Sequence, residues 1–168
     1  VDGAAGGEIV TGNGQGETPQ VQVLSGAGSP LASFYAFDRT FLGGVRVASC
    51  DVNGDGRDEI VAAQGPGGGR VRVLSLAGGF LSEVVAFDAF ESGFTGGVNV
   101  ACADLDLDGR GDVVVGPDGG RAPDVKVFTV GALSAVVTAQ FQAYEPGFTG
   151  GVRVAAARFG GSSIVGAF

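Results

Sequence analysis

Three stretches of the chain are versions of one another. GGVRVASCDVNGDGRDEIVAAQGPGGGRVRVLS begins at Gly43, GGVNVACADLDLDGRGDVVVGPDGGRAPDVKVF at Gly96, and GGVRVAAARFGGSSIVGAF at Gly150, so the spacings are 53 and 54 residues. The segment GGEIVTGNGQGETPQVQVLS, from Gly6, joins the same pattern part-way through. Aromatic residues repeat in three columns: Phe34, Phe87 and Phe141; Phe37, Phe90 and Tyr144; Phe41, Phe94 and Phe148. A period of about 50 residues marks one supersecondary unit that cannot bury its apolar face alone and must stack on its neighbours. The fold is therefore an array of like units.

Each full repeat holds four strand-like runs. In the second they are 45–50, 59–63, 70–75 and 83–90, separated by an acidic loop, a GPGGG loop and an LAGG turn. Val71 and Val73 alternate with Arg70 and Arg72, as expected of a half-exposed strand, whereas VRVAS and EIVAA are more continuously apolar. Glycine supplies 33 of 168 residues without a strict three-residue period, which excludes collagen. The apolar content excludes a disordered chain. Four antiparallel strands per repeat, grading from apolar to amphipathic, describe an all-β propeller blade. One partial propeller domain is expected over 1–168: a partial blade at 1–42, whole blades at 43–95 and 96–149, and the first half of another at 150–168.

The loop DVNGDGRDE places Asp51, Asn53 and Asp55 at positions 1, 3 and 5, glycine at 6, the Arg57 carbonyl at 7 and Glu59 at 9. Hard oxygen ligands at that alternation suit Ca²⁺. An EF-hand would need a bidentate glutamate at position 12, which is Ala62, and flanking helices in place of strands. The second loop, DLDLDGRGD, repeats the pattern with Asp104, Asp106, Asp108, the Arg110 carbonyl and Asp112; its position 12 is Val115. Two structural Ca²⁺ sites inside β-hairpins are expected.

The combination FTGGVRVA…DVNGDGRDEIVAAQGPGGGRVRV resembles the FG-GAP or VCBS repeats of integrin-α-type β-propellers, over essentially the whole chain. The resemblance implies that the acidic loop joins the first and second strands of a blade and binds structural calcium. It also implies an extracellular or cell-surface setting. Arg158 stands at the first ligand position of the third loop, which has shortened to RFGGSS, so no metal is expected there. The N-terminal remnant keeps only Asp2 and Glu8, at positions 3 and 9, and should bind weakly or not at all.

Other motifs have plainer accounts. The RGD at 110–112 uses Asp112, already committed as a ninth-position ligand. GNGQGE and GPGGG resemble phosphate-cradling loops, yet a strand follows each where a helix would be needed. Cys50 and Cys102 are one position out of step on equivalent strands; alternation sends them to opposite faces, and two small buried residues are expected rather than a disulfide. Histidine is absent and Lys126 is the single lysine, so general bases are scarce and no enzyme is expected. A net charge of −8 argues against nucleic acid or an anionic membrane as partner. No apolar run approaches the roughly 20 residues of a membrane-spanning helix. The start, VDGAAGGE, reads as the interior of a longer product or a mature form.

The function expected is a calcium-stabilised adhesion or binding module for a protein or glycan ligand. The alternatives are the propeller part of a secreted polysaccharide lyase or hydrolase, or a repeat spacer. About three blades per chain leave apolar faces open, so a homo-oligomer is expected, a dimer closing a six-bladed ring. In that ring the strand at 152–158 completes the partner's first blade, and 8–12 and 163–167 compete for one slot.

Overall fold

The computed structural model describes residues 7–159 and 162–167. They form thirteen strands and no helix, arranged as successive antiparallel sheets. The first sheet has three strands: β1 (Glu8–Gly12), β2 (Gln20–Ser25) and β3 (Pro30–Tyr35). The second has β4 (Val45–Cys50), β5 (Glu59–Gln64), β6 (Arg70–Ala77) and β7 (Phe80–Asp88). The third has β8 (Val98–Ala103), β9 (Asp112–Pro117), β10 (Asp124–Val130) and β11 (Ala135–Gln142). A hairpin of β12 (Val154–Phe159) and β13 (Ser162–Ala167) makes the fourth. Within each sheet the strands pair in chain order. The four runs expected in the second repeat are present, with the last beginning earlier, at Phe80.

Sheets pack face on face, and the strands record it. Val61 and Ala63 of β5 face the third sheet, in a core with Val98, Val113, Val115 and Phe128. Ile60 and Ala62, on the opposite face of β5, join Val21, Val23 and Val45 against the first sheet. A third, smaller core joins Ala101, Val114 and Val125 to Val152. Burial on both faces is why β5 and β9 lack polar alternation. At about 25 cal/mol per Å² of apolar surface removed from water, these seams are the main source of cohesion.

A bulge recurs at one place in each of the first three sheets. The register between the last two strands of each sheet shifts after Val23, Val73 and Val127, leaving Leu31, Val84 and Thr138 as the extra residues. An extra residue on one strand sharpens the local twist, here always in the outermost hairpin.

The glycine pair in the GFTGG phrase is a backbone stitch between sheets. Gly67 N–H donates to the Thr95 carbonyl and Gly120 N–H to Thr149, at 2.8 and 3.1 Å; Gly16 N–H does the same to Leu42. Gly97 N–H donates in turn to the Gly68 carbonyl at 3.0 Å. Gly97 has φ 89°, and a Cβ there would lie 2.8 Å from Pro66 N and 2.9 Å from Gly65 C. Only glycine satisfies both the left-handed backbone and the close approach.

The cysteine expectation is overturned. Cys50 and Cys102 form a disulfide, with Cα atoms 5.8 Å apart. Alternation does send equivalent positions of the two repeats to the same side of their own sheets. However, two sheets meet front to back: Ala48 and Cys50 face forward from β4, while Val98, Val100 and Cys102 face back from β8. Being one position out of step is therefore what brings the sulfurs together.

Candidate metal centre

The two acidic loops lie between the first and second strands of the second and third sheets, β4–β5 and β8–β9. In the first, Asp51 Oδ1 accepts from the N–H groups of Asn53, Gly54 and Asp55 at 3.3, 2.7 and 3.2 Å, and Oδ2 from Gly56 at 2.7 Å. Asp55 N–H donates to Asn53 Oδ1 at 2.8 Å and Arg57 N–H to Asp55 Oδ1 at 2.9 Å. Burial pushes the Asp51 carboxyl up, but the four backbone donors outweigh it and hold its pKa below the usual carboxylate range.

The second loop bends the same way. Gly109 N–H donates to Asp104 Oδ2 at 3.2 Å, Asp108 N–H to Asp106 Oδ1 at 3.1 Å and Arg110 N–H to Asp108 Oδ1 at 2.8 Å. Asp104, Asp106 and Asp108 each bring one carboxylate oxygen within 4.8 Å of the others. Positions 4 and 6 are left-handed in both loops: Gly54 and Gly56 at φ 79° and 83°, Leu107 and Gly109 at 66° and 90°. A left-handed leucine costs about 1–2 kcal/mol that glycine does not. This donor set is all hard oxygen, with no histidine in the chain and both cysteines in a disulfide. It fits calcium or magnesium and not zinc or copper.

The ninth-position carboxylates are the most buried members. Glu59 is 1% exposed and Asp112 4%. Glu59 Oε2 accepts from Val52 N–H at 3.1 Å and Oε1 from Asn53 Nδ2 at 2.9 Å. Asp112 Oδ2 accepts from Leu105 N–H at 3.1 Å and Oδ1 from the Thr129 hydroxyl at 2.7 Å. Burial, helped by the charges of Asp55 and Asp51, pushes the Glu59 pKa up, against hydrogen bonds from Val52 N–H and the Ser75 side chain. The RGD at 110–112 therefore presents no exposed carboxylate, since Asp112 is buried with both oxygens engaged. Ser75 and Thr129 were missed from sequence. Their signal was available: two hydroxyls 54 residues apart at the same place on the third strands, β6 and β10.

Arg57 and Arg110 sit where the spacing puts them, at position 7. The Arg110 side chain reaches across to the first loop, where a Cβ on Gly54 would lie 3.7 Å from its Cγ and Nε. The expected weak site at Asp2 and the turn of the third loop at 160–161 lie outside the described residues, and Arg158 is described only as part of the β12 backbone; Glu8 opens β1.

With this geometry in view, residues 51–115, from the first acidic loop through most of β9, match the family of FG-GAP-like repeats. Solved structures similar to the chain include two rhamnogalacturonan lyases. The exotype enzyme YesX has 16% sequence identity and a TM-score of 0.46, with 77% of this chain and 33% of that one covered. YesW has 15% identity and a TM-score of 0.48, with 99% of this chain and 42% of that one covered. The chain spans less than half the length of either. No curated protein matches it.

Proposed function

We propose that the chain is a calcium-stabilised, β-propeller-like binding module without catalysis. The observation that carries this reading is the convergence of Asp104, Asp106 and Asp108, in a loop whose backbone bends and ninth-position anchor are repeated at Asp51–Glu59. Calcium would be held by Asp51, Asn53 and Asp55 in the first loop and by the three aspartates in the second. The Arg57 and Arg110 carbonyls would supply further oxygens, with Glu59 and Asp112 closing each loop. Its role there is electrostatic: it offsets carboxylate repulsion and adds stability in the folded state only. The Cys50–Cys102 disulfide favours an oxidising, extracellular setting, where calcium is plentiful.

Exposed apolar side chains on β11 and beyond, among them Val136, Phe141 and Phe148, support a covering sheet on that face. A second copy completing a six-bladed ring is the arrangement to examine by light scattering; a monomeric mass at micromolar concentration, with calcium present, argues against it.

Calorimetric titration of the whole chain should show two equivalents of calcium. Asp51→Ala and Asp104→Ala should each remove one, and chelation should lower Tm by several degrees. No uptake would overturn the metal reading. Release of products from glycans or acidic polysaccharides would overturn the non-catalytic one.

A further inference from the structure

The two acidic loops touch. Gly111, at the eighth position of the second loop, donates its N–H to the backbone carbonyl of Asp51, the first residue of the first loop, at 2.6 Å. Gly111 stands between Arg110 and Asp112, the residues that close its own loop, so that closure sets where its N–H points. Asp51 in turn carries the carboxylate around which the first loop is wound. A peptide plane that orients one loop is thus fixed by the other.

The disulfide lies directly under this contact. A side chain on Gly111 would collide with Cys50 Sγ and come within 3.3 Å of Cys102 Sγ. Cys50 precedes Asp51 in the chain, and Cys102 lies two residues before Asp104. Each sulfur is therefore anchored one or two residues from the first ligand of one loop. Arg110 and Asn53, one from each loop, also line a single cavity of about 250 Å³ with Val52, Val84 and Val130. Three contacts join the loops: a backbone hydrogen bond, a covalent bridge and the Arg110 side chain over Gly54.

We propose that the two loops take up calcium as one coupled unit, in which Gly111 is a positioning residue and the Cys50–Cys102 disulfide maintains the coupling. This rests on the calcium reading above. Ordering the second loop fixes Gly111 and so removes part of the ordering cost of the first; by linkage the reverse holds equally. The disulfide matters because it stops the two sheets from sliding at the point where the hydrogen bond crosses.

The test compares calcium titrations of the full chain with those of Asp51→Ala and Asp104→Ala, each of which keeps one loop. The product of the two stepwise association constants in the parent protein should exceed the product of the two single-loop constants by about fivefold or more. In the double variant Cys50→Ala/Cys102→Ala that excess should fall below about twofold, with the sheet signal in circular dichroism retained. Gly111→Ala keeps the N–H, but its methyl collides with Cys50 Sγ and must displace the peptide plane, so it should lower the excess similarly. Two equivalents bound with an excess near one in the parent would overturn the coupling and leave the calcium reading standing. An excess that persists without the disulfide would remove the cysteines from the proposal. No calcium uptake by the parent would end both. The parent comparison needs neither cysteine nor glycine variant, so a variant that fails to fold does not block the test.

Discussion

Phe90 and Tyr144 occupy the same place in successive repeats, yet Phe90 is 6% exposed and Tyr144 39%. The local geometry does not distinguish them. Phe90 meets Phe94 edge to face with centroids 5.1 Å apart, and Tyr144 meets Phe148 the same way at 5.1 Å. What differs is the neighbour. Over Phe90 lie the Arg121 guanidinium, 4.1 Å from the ring centroid, and Lys126 Nζ at 5.1 Å, while Phe128 stacks on Phe87 at 4.6 Å. The fourth sheet has two strands among the described residues and brings no third strand to cover the Tyr144 face. The repeat sequence builds the aromatic pair, and the following sheet's third strand buries it. An aromatic column is thus half of a seam.

That contrast can be broken. Phe90→Ala should cost about 3–5 kcal/mol, because it opens a cavity in a closed seam, and Tyr144→Ala less than about 1 kcal/mol. Urea denaturation of both variants measures the difference; equal losses would mean that Tyr144 is covered in solution. The covered seam also carries the staple. Replacing Cys50 and Cys102 by alanine should cost about 2–4 kcal/mol in the same assay. A loss under about 0.5 kcal/mol would show that packing alone holds the second and third sheets together. Within the covered seam Lys126→Ala should cost less than either, about 1 kcal/mol, for its hydrogen bond to the Ala89 carbonyl and its position over Phe90. No change would assign the cover to Arg121 and Phe128 alone.

Much of the second and third sheets was legible because the repeat supplies two aligned copies of each strand and turn. The run at 45–50 matches β4 in both bounds, since an acidic loop ends it and a glycine pair precedes it. The acidic loops were legible because their ligands sit at fixed offsets within one turn. The disulfide was not, because strand alternation was applied to two strands of different sheets as though they shared one; the relation between Cys50 and Cys102 belongs to the seam. Ser75 and Thr129 escaped for a related reason. Their hydroxyls serve carboxylates sixteen and seventeen residues earlier in the chain, and only the fold places the third strand behind the acidic loop.

The glycine stitch has a bearing on how such a chain grows. Each donor and its acceptor are close in sequence, Gly67 with Thr95 and Gly120 with Thr149, and each pair straddles the boundary between one sheet and the next. A tandem duplication of one repeat length therefore copies a donor and an acceptor together, and the added sheet arrives with both halves of its joint. The main contacts lie within a sheet or between consecutive sheets, which lets folding spread from any sheet to the next. The same locality makes the number of sheets an easy quantity for evolution to change, since insertion or loss of a unit leaves every remaining joint intact.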